Sequence, residues 1–283
     1  MTTFPLPLFG FSTARIARLR VAAVRTAAMR TAAVRAAAVL AAVLVAGGAL
    51  AQDAAVPSDA DAIVDRIVEN LRGGGQRATI RMTVERDDAT DRYVLETIGD
   101  GDERALTRVV APPNEAGRAF LVDGSELFVY APRVGRSLRL PPSGRSDGFL
   151  GSDLSYDDLA GDELRDTYDA AIAERTDDRV VVSLVPRAGA ATPYGELRLT
   201  ARLPDLTPLE LTYLDQRDAP VKRLTLHDPR TLEDGRTVPT RFEVVDLTEG
   251  GGRTIATWED ATFGVEPPDR CFTLEALETG CRW

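Results

Sequence analysis

Thr79-Ile-Arg-Met-Thr-Val-Glu85 decides how the chain must be read. Ile80, Met82 and Val84 alternate with Arg81, Thr83 and Glu85, so one face of an extended segment is apolar and the other polar. The same period of two recurs on both sides. It appears at Tyr93–Ile98, Ala105–Val110, Ala119–Val122, Leu127–Tyr130 and Ser137–Leu140. It resumes at Ala170–Glu174, Val180–Val185, Glu196–Leu203, Pro208–Leu214, Val221–Leu226, Pro239–Leu247 and Thr254–Phe263. Turn residues separate the segments, among them Asp100-Gly101, Asp123-Gly124, Asp234-Gly235 and Gly250-Gly-Gly252. About eleven to thirteen short strands in hairpin order predict one large antiparallel sheet.

Little helix is available to cover it. Ser58 to Leu71 is amphipathic, with Ile63, Ile67 and Leu71 four apart and Val64 and Val68 beside them; Ser58 or Asp59 is the expected cap, and Gly73-Gly-Gly75 the stop. A sheet of this size left flat exposes too much apolar surface, so it must close or curl around something. The helix and the Gly148–Gly161 insert are short for that task. A residual apolar cavity is therefore expected, lined by Ile80, Met82, Val84, Phe120, Leu127, Val129, Leu197, Leu199, Leu209 and Leu211.

The insert itself is distinctive. In Asp147-Gly-Phe-Leu-Gly-Ser-Asp-Leu-Ser-Tyr-Asp-Asp-Leu159 an apolar turn, Phe149-Leu150, runs into a short helix capped by Ser155, with Asp157 and Asp158 in its first turn where the helix dipole favours carboxylates. Phe149, Leu150, Tyr156 and Leu159 are the expected lid. The loop before it gathers Arg133, Arg136, Arg139 and Arg145, which could meet anionic headgroups or an acidic partner, or could simply be solvated at a strand edge.

The first 51 residues hold six arginines and no acid, then an uncharged run from Ala36 ending in Ala49-Leu-Ala51. That is the layout of a cleaved secretory signal, which predicts export of the mature chain. Initiation at Met29 would leave a leader of ordinary length, which N-terminal sequencing of the precursor tests. Subtracting the leader's +6 from the chain's −10 leaves −16 on residues 52–283, read as a single domain with a C-terminal tail. Such a charge repels nucleic acid at long range. Cys271 and Cys281 are the chain's two cysteines and are expected to pair in an oxidising compartment, closing the tail. Arginine outnumbers lysine 33 to one, the one being Lys222.

Catalytic chemistry finds little support. The single histidine, His227, ends an alternating strand just before Asp228-Pro229, and a triad or zinc site needs more. Asp153, Asp157 and Asp158 lack the glycine and bidentate glutamate of a calcium loop. Paired carboxylates for glycoside cleavage usually accompany an aromatic cleft, and aromatics are 6% of this chain. No enzyme activity, cofactor or metal is expected.

Several stretches occur together in an order that resembles the outer-membrane lipoprotein-sorting, LolA-like proteins. They are Ala111-Pro-Pro-Asn-Glu-Ala-Gly-Arg-Ala-Phe-Leu121, Leu127-Phe-Val-Tyr-Ala-Pro-Arg133, Gly148-Phe-Leu-Gly-Ser-Asp-Leu-Ser-Tyr-Asp-Asp-Leu159, Tyr213-Leu-Asp215 and Asp234-Gly-Arg-Thr-Val-Pro239. The resemblance implies an incomplete antiparallel barrel, mainly β, capped by helices, whose concave face takes acyl chains. It implies a monomeric periplasmic carrier or receptor with lipid or lipoprotein acyl chains as cargo, and an inner-membrane transporter and an outer-membrane acceptor as partners. The competing expectation is an envelope interaction module that binds no lipid.

Overall fold

The computed structural model of the chain describes residues 56–282 apart from 73, 102, 142–143, 146, 157–163, 191 and 249. The leader, Gly73, Asp157, Asp158 and Leu159 therefore lie outside the described residues.

The thirteen alternating segments all form strands. They are β1 (Gln76–Arg86), β2 (Ala89–Gly99), β3 (Arg104–Ala111), β4 (Ala119–Asp123), β5 (Glu126–Ala131), β6 (Arg136–Arg139), β7 (Tyr168–Arg175), β8 (Arg179–Pro186), β9 (Glu196–Arg202), β10 (Thr207–Leu214), β11 (Pro220–Thr231), β12 (Thr237–Asp246) and β13 (Arg253–Phe263). They make one curved antiparallel sheet in the order β6-β5-β4-β3-β2-β1-β13-β12-β11-β10-β9-β8-β7. Two meanders, β1–β6 and β7–β13, are thus joined by pairing of the first strand with the last, Met82 opposite Ala256. The sheet does not close into a barrel. Its edge strands β6 and β7 carry charges, Arg136 and Arg139 on one and Asp169, Glu174 and Arg175 on the other, which discourage further strand addition.

Register sorts the side chains. Val84 faces Thr254, then Val244, Leu224, Leu211, Leu199, Val182 and Ile172, a single row across eight strands. This is the inner face. The opposite face over the central strands is polar, with Arg253 bonded to Glu243 at 3.0 Å and Arg81 to Glu259 at 2.5 Å. Arg253, more than any other neighbour, holds the Glu243 carboxyl below its ordinary range. Exposed pairs of this kind add little stability. His227 lies on this outer side in the interior of β11, which continues through Asp228 (φ 52°) and Pro229 rather than ending there. The left-handed residue lets the strand pass the proline without a turn.

α1 (Ala60–Arg72) covers one half of the inner face. Asp59 supplies the cap, its Oδ2 accepting the Ala62 amide at 3.1 Å. Ile63, Val64 and Ile67 are fully buried against Val180, Val182, Leu184, Leu197, Leu199 and Tyr213. Burying those three side chains stabilises the docking by roughly 5–8 kcal/mol. Asn70 fixes the angle: its Nδ2 donates to the carbonyls of Asp205 and Leu206, both at 3.1 Å. Asn70→Ala leaves both without that donor and is expected to cost about 2 kcal/mol in denaturant unfolding.

The C-terminal tail forms a second layer on the outer face, an element the sequence reading reduced to a disulfide loop. A 3-10 turn at Asp269–Phe272 and α3 (Leu274–Thr279; α2 is the short Leu164–Thr167) lay Cys271, Phe272, Ala276 and Leu277 on Ile98, Leu106, Ala119 and Leu121. Arg108 reaches from β3 to the end of α3, donating to the carbonyls of Leu277 at 2.7 Å and Ala276 at 3.3 Å. Burial pushes its guanidinium below the ordinary arginine range, partly offset by the nearby Tyr130 and Glu96. Cys271 and Cys281 are disulfide-bonded. Cys271→Ser with Cys281→Ser is expected to lower stability by about 3 kcal/mol at most, from loop entropy. Because the tail lies on the outer face, ligand binding on the inner face should be unaffected; calorimetry and a binding assay on the same variant check both.

Candidate functional site: the covered inner face

The insert closes on itself as a tight loop. Phe149 N–H donates to Leu154 O at 2.7 Å and Tyr156 N–H to Asp147 O at 3.2 Å, with Gly148 and Ser155 bridged. A β-carbon at Gly148 would sit 2.7 Å from the Ser152 carbonyl, so only glycine fits. Leu150 at the tip is left-handed (φ 52°, ψ 31°), a conformation that costs a leucine about 1 kcal/mol and is held here because its side chain is buried. Ser155 takes part in the bridge; the helix it was expected to cap lies outside the described residues.

The apolar tip docks on the second half of the inner face. Phe149 meets Phe120 edge-on with ring centroids 4.7 Å apart, and Tyr156 stands at 5.8 Å from Phe149 and 5.9 Å from Phe120. Burial, more than the nearby charges, raises the Tyr156 phenol above its ordinary range, so the ring enters as a neutral group.

A small polar cluster fastens this cover. The Asp153 carboxylate accepts Arg86 Nη1 at 3.0 Å and Thr254 Oγ1 at 2.6 Å, while the Asp153 amide donates to Thr254 Oγ1 at 3.0 Å. Arg86 Nη2 also donates to Gly151 O at 2.8 Å. The Asp153 side chain is 3% exposed and that of Arg86 35%. A buried carboxylate is thus matched to a cation and a hydroxyl on β1 and β13. Neither Arg86 nor Thr254 carries a local signal in the sequence; only the insert's own acid did.

The expected lining residues separate into two groups. Ile80, Met82, Val84, Phe120, Leu127 and Val129 lie together beneath the insert. Leu197, Leu199 and Leu211 lie beneath α1. Leu209 is half-buried at the bulge between Pro208 and Glu210 and belongs to neither group. The expected open apolar hollow is corrected: six large side chains from the two covers, Ile63, Val64, Ile67, Phe149, Leu150 and Tyr156, fill the space above the sheet. Among the described residues there is a cavity of about 340 Å³ at the seam between the insert and β11–β12, lined by Arg86, Asp153, Lys222, Asp246 and Tyr194 among others. Its walls are polar and apolar in nearly equal measure, and it is at the small end for a ligand site.

The arginines of the 131–145 loop take separate tasks. Arg139 pairs with Glu126 at 2.7 Å, Arg133 donates to Asn114 O at 3.2 Å, and Arg145 is buried and donates to Ser125 O. Arg136 is exposed on edge strand β6. Among the described residues no three histidine, cysteine or acidic side chains gather as a metal site, and no helix is long and apolar enough to cross a membrane.

Residues 101–279 match a protein-family model described as "-like: Uncharacterized protein". No curated protein matches the chain. Among solved structures, a Vibrio parahaemolyticus domain named for outer membrane lipoprotein sorting is 19% identical with a TM-score of 0.66, covering 78% of this chain and 100% of that one. A DUF1329 family protein from Desulfovibrio piger is 23% identical with a TM-score of 0.67, covering 77% of this chain and 98% of the other. A LolA superfamily protein from Nitrosomonas europaea is 21% identical with a TM-score of 0.63 at the same coverages. The chain belongs to the family whose model spans residues 101–279, and the fold on which that family is built here is the LolA-like half-barrel.

Proposed function

We propose that the protein is a periplasmic carrier for lipid or lipoprotein acyl chains, made as a precursor whose first 51 residues are a cleaved signal. The acyl site is the inner face, and it opens when the insert lifts. The observation that carries this reading is the mismatch between an inner row over eight strands, apolar except for Thr254, and the small, separately fastened elements that cover it. The names of the solved structures with this fold, lipoprotein sorting and LolA, support it by analogy.

Energetics favour displacement of the cover by cargo. A sixteen-carbon chain gains on the order of 12 kcal/mol on leaving water. Exposing Phe149, Leu150 and Tyr156 costs about 6 kcal/mol. Against a bilayer the balance reverses, because the membrane holds the chain as well as the protein does. Loading from a membrane is therefore uphill by roughly the cost of opening, and a membrane partner that grips the insert would supply it. An inner-membrane transporter as donor and an outer-membrane acceptor fit that requirement.

Mass spectrometry of organic extracts from protein purified out of its native envelope tests the reading, with an acyl lipid near one per protein expected. A second reading, an interaction module holding an envelope partner, draws on the filled interior and predicts extracts free of lipid.

A further inference from the structure

We propose that the β5–β6 hairpin is the edge by which the protein docks on an anionic bilayer surface, and that an acyl chain enters beneath the insert from there. The entry route rests on the carrier reading; the docking does not. Between Leu127 and Ser146 the sequence holds four arginines and no acid, although the chain carries 44 acids against 34 bases. Arg145 is buried, and Arg133, Arg136 and Arg139 are exposed. Glu126 matches Arg139, whereas Arg133 donates to a backbone carbonyl, which leaves its charge uncompensated. The two most exposed large apolar side chains among the described residues, Val134 at 56% and Leu138 at 52%, stand on this same hairpin. Single exposed apolar residues are ordinary, but two set among three arginines match a bilayer interface, where cations meet phosphates and apolar groups reach the acyl boundary. An acidic protein surface accounts for the arginines but not for a bare valine at the tip of a turn.

The local fold holds these groups outward. The Val134 and Gly135 amides both donate to Ala131 O, at 3.0 and 2.9 Å, and Gly135 is left-handed (φ 69°), so the turn is tight and Val134 is pushed to its tip. Edge protection explains the charges on β6 but not Leu138, which lies opposite Val129 and so faces the inner side of the sheet. Val129 in turn lies opposite Phe120, and both pack in the cluster under the insert. Leu138, Val129 and Phe120 therefore make an apolar step from the open edge to the rings of the cover. Glu278, which accepts the Ser137 hydroxyl at 3.0 Å, belongs to the outer side, away from that step. The net negative charge of the chain does not forbid the approach. At physiological salt, exposed charges more than about 8 Å away are largely screened, so at contact the hairpin's own arginines set the interaction.

The test floats the protein with vesicles of phosphatidylcholine and phosphatidylglycerol, and with vesicles of phosphatidylcholine alone. Wild-type protein is expected to bind the anionic vesicles and not the neutral ones, with an affinity that falls as salt rises. Arg133→Gln with Arg136→Gln should weaken that binding about fivefold for each charge removed. Val134→Ser with Leu138→Ser should weaken it at least about tenfold. All four positions are exposed, so the variants are expected to melt as wild type does, which melting curves check. Val134→Trp should be quenched by brominated phospholipid beyond the quenching seen in wild type. Equal binding to both kinds of vesicle, or anionic binding that survives Arg133→Gln with Arg136→Gln, overturns the docking edge. Binding to neither overturns it in favour of an acidic protein partner for the arginines. Uptake of free cis-parinaric acid, a fluorescent acyl probe, needs no membrane and tests the carrier reading separately. Its failure in wild type overturns that reading and the entry route with it, while the vesicle result stands on its own.

Discussion

Cross-linking the insert to β13 is expected to switch acyl binding off. Asp153→Cys with Thr254→Cys joins two positions that already touch through both the amide and the side chain of Asp153. A loop of this kind can settle to the about 4 Å Cβ separation of a disulfide. Oxidised, the variant keeps Phe149, Leu150 and Tyr156 over Phe120, and uptake of parinaric acid should fall at least about a hundredfold, since only leakage past the cover remains. Reduced, the same variant has lost the Asp153 carboxylate and should load faster than wild type. Wild-type protein in the same reductant controls for Cys271–Cys281, whose opening acts on the outer face. Uptake by the oxidised variant at the wild-type rate and extent would place the acyl site somewhere other than beneath the insert.

The prediction depends on a feature that the sequence displays only in part. The alternation at Ile80, Met82 and Val84, repeated twelve further times, was enough for the sheet, because side-chain direction in a strand follows from parity alone. The helix and its Asp59 cap were legible for a similar reason: periodicity and capping are local. Pairing of β1 with β13 is not local. It closes the two meanders, and it brings Arg86 to a residue 67 positions away and Thr254 to one 101 positions away. No spacing rule marks such partners in a single sequence.

The lining residues show the same limit from the other side. Parity put Met82 and Leu199 correctly on the inner face, but could not say that each has a cover packed on it. This alters what a charge there would do. Met82→Glu places a carboxylate in a dry cluster with no partner, and its several-kcal/mol penalty falls on folding as much as on lipid retention. Substitutions in the latch separate the two effects, because the insert can leave the sheet without unfolding it. Lys222 was visible as a compositional oddity, yet its place between two tyrosines depends on β10–β11 register and on the loop ahead of β9.

Arg86→Ala makes that separation measurable. Removing one partner of a buried pair costs 3–5 kcal/mol when both groups are inaccessible; with Arg86 about one-third exposed, about 3 kcal/mol is expected. In a rigid site that loss would appear in global unfolding. Here Asp153 has an alternative, since it belongs to a ten-residue loop that can swing into water and rehydrate the carboxylate. The penalty then falls on the closed state alone. A shift of 3 kcal/mol raises the open population about a hundredfold, so parinaric acid should load correspondingly faster, while the unfolding midpoint moves only slightly. Hydrogen exchange should locate the change at the Phe149, Ser152 and Tyr156 amides, whose bonds close the loop, with α1 and the β7–β11 half protected as before. Asp153→Asn, which keeps an oxygen for Thr254 but gives up the charge, should fall between wild type and Arg86→Ala. A large fall in the unfolding midpoint with no gain in loading rate would mean that the insert is part of the fixed core and that the cover does not open there.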